Sequence, residues 1–146
     1  MSYFSYFANC FCFGGSFYRM GIMKKIATLS GKVVRGKLLG RELGFPTINV
    51  LGPHDLPFGV YVSVVTTATG KYKGALHFGP RKVLNIPKPS LEVHLLDFQG
   101  DLYDETVTID VYNKLRDVQH FSDLESLKDQ IAKDVEQVAL AEVPLD

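Results

Sequence analysis

Apolar and polar residues alternate through LEVHLLDF, residues 91–98: Leu91, Val93 and Leu95 point one way, Glu92, His94 and Leu96 the other, which is the period of a β-strand. Short runs rich in Val, Ile, Leu, Phe and Tyr, punctuated by Gly and Pro, recur from Thr28 onward in TLSGKVVRG, FGVYVSVVTT, KYKGALHFG and TVTIDVYNKL. The pattern predicts an all-β domain rather than alternating β and α units. The period changes near the end. In FSDLESLKDQIAKDVEQVAL, Leu124, Leu127, Ile131, Val135 and Val138 fall at helical spacing with charges opposite, and Ser122 followed by Glu125 forms a capping box. A C-terminal helix lying on a barrel or sandwich is expected.

The first 22 residues, MSYFSYFANCFCFGGSFYRMGI, differ in character: they are rich in Phe and Tyr, and their first basic residue is Arg19. A signal peptide needs positive charge before its apolar run, and a membrane span needs a longer stretch without polar breaks. Residues 1–22 are therefore read as a flexible N-terminal extension and residues 23–146 as the folded domain, with Met23 as its functional start.

The whole chain, at 146 residues, is one domain's worth. Its 16 basic and 16 acidic residues cancel, so no global field draws it to nucleic acid or to an anionic membrane, and a small-molecule partner is expected. Cys10 and Cys12 are too close together to staple a fold and lack companion zinc ligands, which suits a reducing, cytoplasmic setting.

Candidate chemistry concentrates in GKLLGRELGFPTINV. Gly36, Gly40 and Gly44 stand four residues apart, with Lys37 and Arg41 among them. Such glycines either make plain turns or aim several backbone N–H groups at one anion, to which Arg41 adds charge-assisted bonds. The Gly-Lys-Thr ending of a Walker A loop is missing, as is the dinucleotide fingerprint. Past Pro46, an extended chain turns Thr47 and Asn49 to one side. Their oxygens are either hard ligands suited to Mg2+ or partners in local hydrogen bonds. Glu92, a carboxylate in mid-strand, is either solvated or a general base; His94 on its face either orients Glu92 or packs, and packing is the favoured reading.

Taken in order, GKVVRGKLLGRELGFPTINV, EVHLLDF, DLY, LR and FSDLESLKDQIAKD resemble riboflavin kinases, including the kinase module of bifunctional bacterial FAD synthetases. The resemblance covers about residues 31–135, and the Gly-rich turn ending in Pro-Thr-x-Asn is its specific part. It implies a six-stranded antiparallel Greek-key β-barrel with a C-terminal helix. It also implies transfer of the ATP γ-phosphoryl group to the ribityl 5′-hydroxyl of riboflavin, giving FMN and ADP. By the same resemblance, Gly36, Gly40, Arg41 and Gly44 wrap the ATP phosphates and Thr47 and Asn49 meet metal and phosphate. The metal is Mg2+, with Zn2+ or Mn2+ as alternatives. Glu92 matches the catalytic glutamate, while Arg116 and, more weakly, Tyr112 match positions near the flavin.

Two departures stand out. After DLY the family has Gly where this chain has Asp104, which predicts an altered turn. GPRKVLNIPKPSLE lacks the family's Pro-Thr, which predicts a different closing loop. With no adenylyltransferase domain ahead of Gly31, FMN is the expected product, not FAD. The rival expectation is a flavin- or nucleotide-binding module that kept the barrel and lost turnover. A monomer without nucleic-acid or membrane partners is expected.

Overall fold

The computed structural model describes residues 10–13, 16–19, 23–36, 39–81 and 86–145. Six strands close into an antiparallel barrel: β3 (Ala27–Val34), β4 (Thr47–Val50), β5 (Gly59–Thr67), β6 (Gly70–Arg81), β7 (Ile86–Leu95) and β8 (Thr106–Arg116), in spatial order β3-β4-β7-β6-β5-β8. β5, β6 and β7 follow one another by hairpins and β8 returns beside β5, which is a Greek key. The barrel and the C-terminal helix α2 (Leu124–Leu140) meet the sequence expectation.

Strand alternation sets the two faces. Leu91, Val93 and Leu95 of β7 join Leu76, Phe78, Val107, Ile109 and Val111 in the buried interior, while Glu92 and His94 face outward. β5 is buried along both faces: Tyr61 and Val65 fill the interior, while Val62 and Val64 pack outside with Val138 of α2 and its C-cap Ala141. Inside, Ser63 Oγ donates to Gly74 O at 2.9 Å. A Cβ on Gly74 would lie 2.5 Å from Val93 Cγ1, so the barrel needs glycine there.

The helix departs from expectation at both its cap and its stripe. Asp123, not Ser122, is the N-cap: its Oδ1 accepts the Ser126 N–H at 2.7 Å, and Ser122 Oγ donates to Asp123 Oδ2. Asp is as good a cap as Ser, and its charge adds a favourable interaction with the helix dipole. Leu124 is exposed, and the buried positions are Leu127, Asp134 and Val138. At its far end α2 is held by Lys73 Nζ, which donates to the carbonyls of Ala139 and Ala141.

In the N-terminal extension, β1 (Cys10–Phe13) and β2 (Ser16–Arg19) form a two-stranded antiparallel sheet separate from the barrel. The rest of residues 1–22 lies outside the described residues, as do Lys37 and residues 82–85 of the closing loop.

Candidate active site

The Gly-rich segment is built against β4. Leu39–Glu42 make one helical turn, α1, in the segment whose glycines were expected to form turns or an anion cradle. Phe45 N donates to Gly40 O at 2.7 Å and Gly44 N to Arg41 O at 3.1 Å, folding the chain back on itself. Gly44, at φ 86°, supplies the left-handed step this requires. The other two glycines matter by proximity. A Cβ on Gly36 would collide with the Asn49 carboxamide, and one on Gly40 would lie 2.5 Å from Phe45 O and 3.2 Å from Thr47 Oγ1. The loop backbone thus rests directly on the two oxygen-bearing side chains of β4.

Strand pairing gathers the rest. Thr47 stands opposite His94, and Asn49 opposite Glu92. On the other side of β7, His77 of β6 pairs with Glu92 and Ala75 with His94. Directly opposed residues share a face, so Asn49, Glu92 and His77 form one row across three strands of the outer surface. Glu92 Oε1 accepts from Ser90 Oγ at 3.3 Å. His94 makes packing and hydrogen-bond contacts with the chain leading into β4. Its Nδ1 lies 2.8 Å from Pro46 O, the tautomer in which Nδ1 donates, and Phe45 meets its ring edge-on with centroids 5.5 Å apart.

Two cavities open along this row. The first is lined by Gly40, Leu43, Phe45, Thr47, His77, Glu92, His94, Arg116, Phe121, Leu127, Ile131 and Asp134 among others, a largely apolar cleft between barrel and α2 with two carboxylates in its wall. The second is lined by Arg41, Pro46, Thr47, Asn49, Phe98, Asp101 and Tyr103 among others. Thr47 lines both. Thr47 thus stands in a wall shared by a cavity that holds Arg41, Asn49 and Asp101 and a largely apolar one that holds Glu92, an arrangement that suits group transfer between two substrates.

The flavin candidates separate. Arg116 lines the first cavity, with Nε and Nη2 bonded to the buried Asp134 and Nη1 donating to Asp117 O at 3.1 Å. Tyr112 lines neither cavity. It is buried in the cluster beneath α2 with Met23, Val62, Val64 and Val138, where desolvation, reinforced by Asp110, raises its pKa. His77 and Asp134 are cavity residues that the sequence reading did not single out. The signal for His77 was its outward phase between Leu76 and Phe78; for Asp134 it was an acid within the apolar stripe of α2.

The two departures from the family pattern are structurally distinct. Asp104 takes a left-handed φ of 67°, the conformation glycine adopts without strain and Asp tolerates. In the closing segment, the pairing of β6 with β7 shifts register between Gly79 and Arg81.

No group of three or more His, Cys, Asp or Glu side chains that could hold a metal occurs among the described residues. Thr47, in the wall of both cavities, and Asn49, in the wall of the second, instead offer a hydroxyl and an amide carbonyl, a donor set that fits a hard cation carrying most of its ligands as water and phosphate.

With this geometry in place, the family model described as Flavokinase, riboflavin kinase, matches residues 23–141. The chain belongs to the riboflavin kinase family. It is 44% identical over 110 residues to a bifunctional riboflavin kinase/FMN adenylyltransferase of Pseudomonas fluorescens, covering 73% of this chain and 35% of that protein. It is 40% identical over 114 residues to an RNA-binding riboflavin kinase, RibR, of Bacillus subtilis, covering 76% and 49%. Among solved structures, riboflavin kinase from Trypanosoma brucei superposes with a TM-score of 0.54 at 28% identity, covering 77% of this chain and 76% of the other. The chain thus spans between a third and a half of the two bacterial relatives and most of the trypanosomal riboflavin kinase.

Proposed function

We propose that this protein phosphorylates riboflavin, transferring the γ-phosphoryl group of ATP to the ribityl 5′-hydroxyl to give FMN and ADP. The observation that carries the reading is the β4–β7 register, which sets Asn49 directly across from Glu92 with Thr47 in the wall common to both cavities. The cavity holding Arg41, Thr47 and Asn49 takes the nucleotide phosphates, and the apolar cleft between Phe45, Phe121, Leu127 and Ile131 takes the flavin ring.

Glu92 accepts the proton of the 5′-hydroxyl as its oxygen bonds to the γ-phosphorus. The bond from that phosphorus to the bridging oxygen breaks, and ADP leaves with the electron pair. Such a reaction asks mainly for alignment and charge neutralisation. The loop resting on Thr47 and Asn49 supplies the alignment, and Arg41 supplies part of the charge. Thr47 and Asn49 would hold a divalent cation, Mg2+ in this reading, which would neutralise the phosphate oxygens. No helix of the described residues is long and apolar enough to cross a membrane. A cytoplasmic enzyme drawing on dissolved substrates accords with this reading. The test is incubation with riboflavin, ATP and Mg2+ followed by chromatographic separation of flavins. FMN is expected; tight riboflavin binding without FMN would favour a binding module on the same barrel.

A further inference from the structure

Asp134 is out of place by the usual logic of a helix seam. It lies between Ile131 and Val138 on the buried side of α2 and is only 4% exposed. Its carboxylate grips Arg116 with both oxygens, Oδ1 at 3.0 Å from Nε and Oδ2 at 2.8 Å from Nη2 and 3.3 Å from Nε, and Gln130 Nε2 donates to Oδ1 at 3.1 Å. An apolar pair of similar volume would hold helix to barrel at equal or lower cost, because the buried ions forfeit their hydration. Stability alone therefore does not account for it. The pair stands in the wall of the cavity that contains Glu92, and the guanidinium lies 5.9 Å from the Phe121 ring centroid.

We propose that Asp134 is a positioning residue for the phosphoryl acceptor, an inference that rests on the kinase reading above. A guanidinium has five N–H donors in a rigid planar fork. Asp134 takes those of Nε and one of Nη2, and Asp117 O takes one of Nη1. Fixing these fixes the plane of the fork, and the remaining N–H of Nη1 and of Nη2 are left to bond the carbonyl edge of a flavin ring lying in the apolar cleft. Binding energy gained there is spent on placing the ribityl hydroxyl at Glu92.

The test uses Asp134→Asn, Asp134→Glu and the double variant Arg116→Met/Asp134→Leu, read by steady-state kinetics, riboflavin fluorescence quenching and thermal unfolding. In Asp134→Asn, KM and Kd for riboflavin are expected to rise roughly 10- to 100-fold, the worth of one or two charge-assisted hydrogen bonds, with KM for MgATP within about threefold of wild type. Asp134→Glu should recover part of the affinity. The double variant should unfold near the wild-type temperature yet still bind riboflavin weakly. Normal riboflavin affinity in that folded double variant, or parallel increases in both KM values for Asp134→Asn, would overturn the inference and leave a merely structural clamp. The quenching measurement needs no turnover: a wild type that binds riboflavin but makes no FMN defeats the kinase reading alone, and one that binds no riboflavin defeats both.

Discussion

Replacing Gly40 with alanine introduces a methyl group where the loop meets β4. The new Cβ would stand 2.5 Å from Phe45 O, a backbone atom that cannot swing away, and 3.2 Å from Thr47 Oγ1. Reaching the 3.4 Å of ordinary contact requires the loop and the start of β4 to separate by 0.9 Å, the difference of the two distances. A misplacement near 1 Å at a reacting centre costs on the order of 10²-fold, about 2.7 kcal/mol of barrier. kcat/KM for MgATP should therefore fall by about two orders of magnitude. Overpacking of this kind costs roughly 1–3 kcal/mol of stability, so the comparison needs a control. Gly44→Ala provides one: at φ 86° it strains the backbone by roughly 1–2 kcal/mol, but the methyl meets nothing within 4 Å. The assay is steady-state kinetics with MgATP varied, alongside thermal unfolding, for both variants. Gly40→Ala should be kinetically damaged well beyond Gly44→Ala at a similar loss of stability. If Gly40→Ala keeps kcat/KM within threefold of wild type, the loop does not position Thr47 and the argument fails.

Asn49→Ala removes a hard oxygen donor and should weaken MgATP binding and raise the metal concentration needed for half-maximal rate, read by titration calorimetry and metal titration. Glu92→Gln keeps shape but cannot take a proton, so kcat should fall roughly 10²–10⁴-fold with both substrates still bound; an unchanged kcat would return Glu92 to the status of a solvated strand residue. Deleting residues 1–22 should leave cooperative unfolding and activity nearly intact, because β1 and β2 form a sheet separate from the barrel; loss of soluble protein would show that the extension packs on the domain. Asp123 is held below its ordinary pKa chiefly by the Ser126 backbone N–H. The stabilisation is thus fully present above the unfolded value near ~3.9 and lost as pH falls through the lowered folded value. Asp123→Asn, which caps without titrating, should flatten that part of the acid limb in thermal unfolding.

Much of the site was legible because β-strands encode their faces locally. The alternation through Leu91, Glu92, Val93, His94 and Leu95 fixes which side chains leave the barrel, and Pro46 fixes the entry to Thr47 and Asn49. That Asn49 lies across from Glu92 is a property of long-range pairing, which no window of either strand contains. His77 enters the site for the same reason, through β6. Tyr112 has the outward phase of a site residue, yet α2 covers that part of the barrel and places it in packing; only the docking of the helix decides between the two. The helical stripe misled in a similar way. Leu124 fits the spacing but is exposed to solvent, while Asp134, an acid by composition, is buried because Arg116 is there to meet it.

The central claim is transfer of a phosphoryl group between two cavities that share the Thr47 wall, and it is tested most directly by following the γ-phosphate itself. ATP labelled at the γ-phosphorus is incubated with riboflavin, Mg2+ and either the wild-type protein or Glu92→Gln, and the label is traced by chromatography. The account predicts label in FMN in one-to-one proportion with ADP for the wild type, and a rate lower by roughly 10²–10⁴-fold for Glu92→Gln. Label released only as inorganic phosphate, or no label in FMN while riboflavin remains bound, would contradict it.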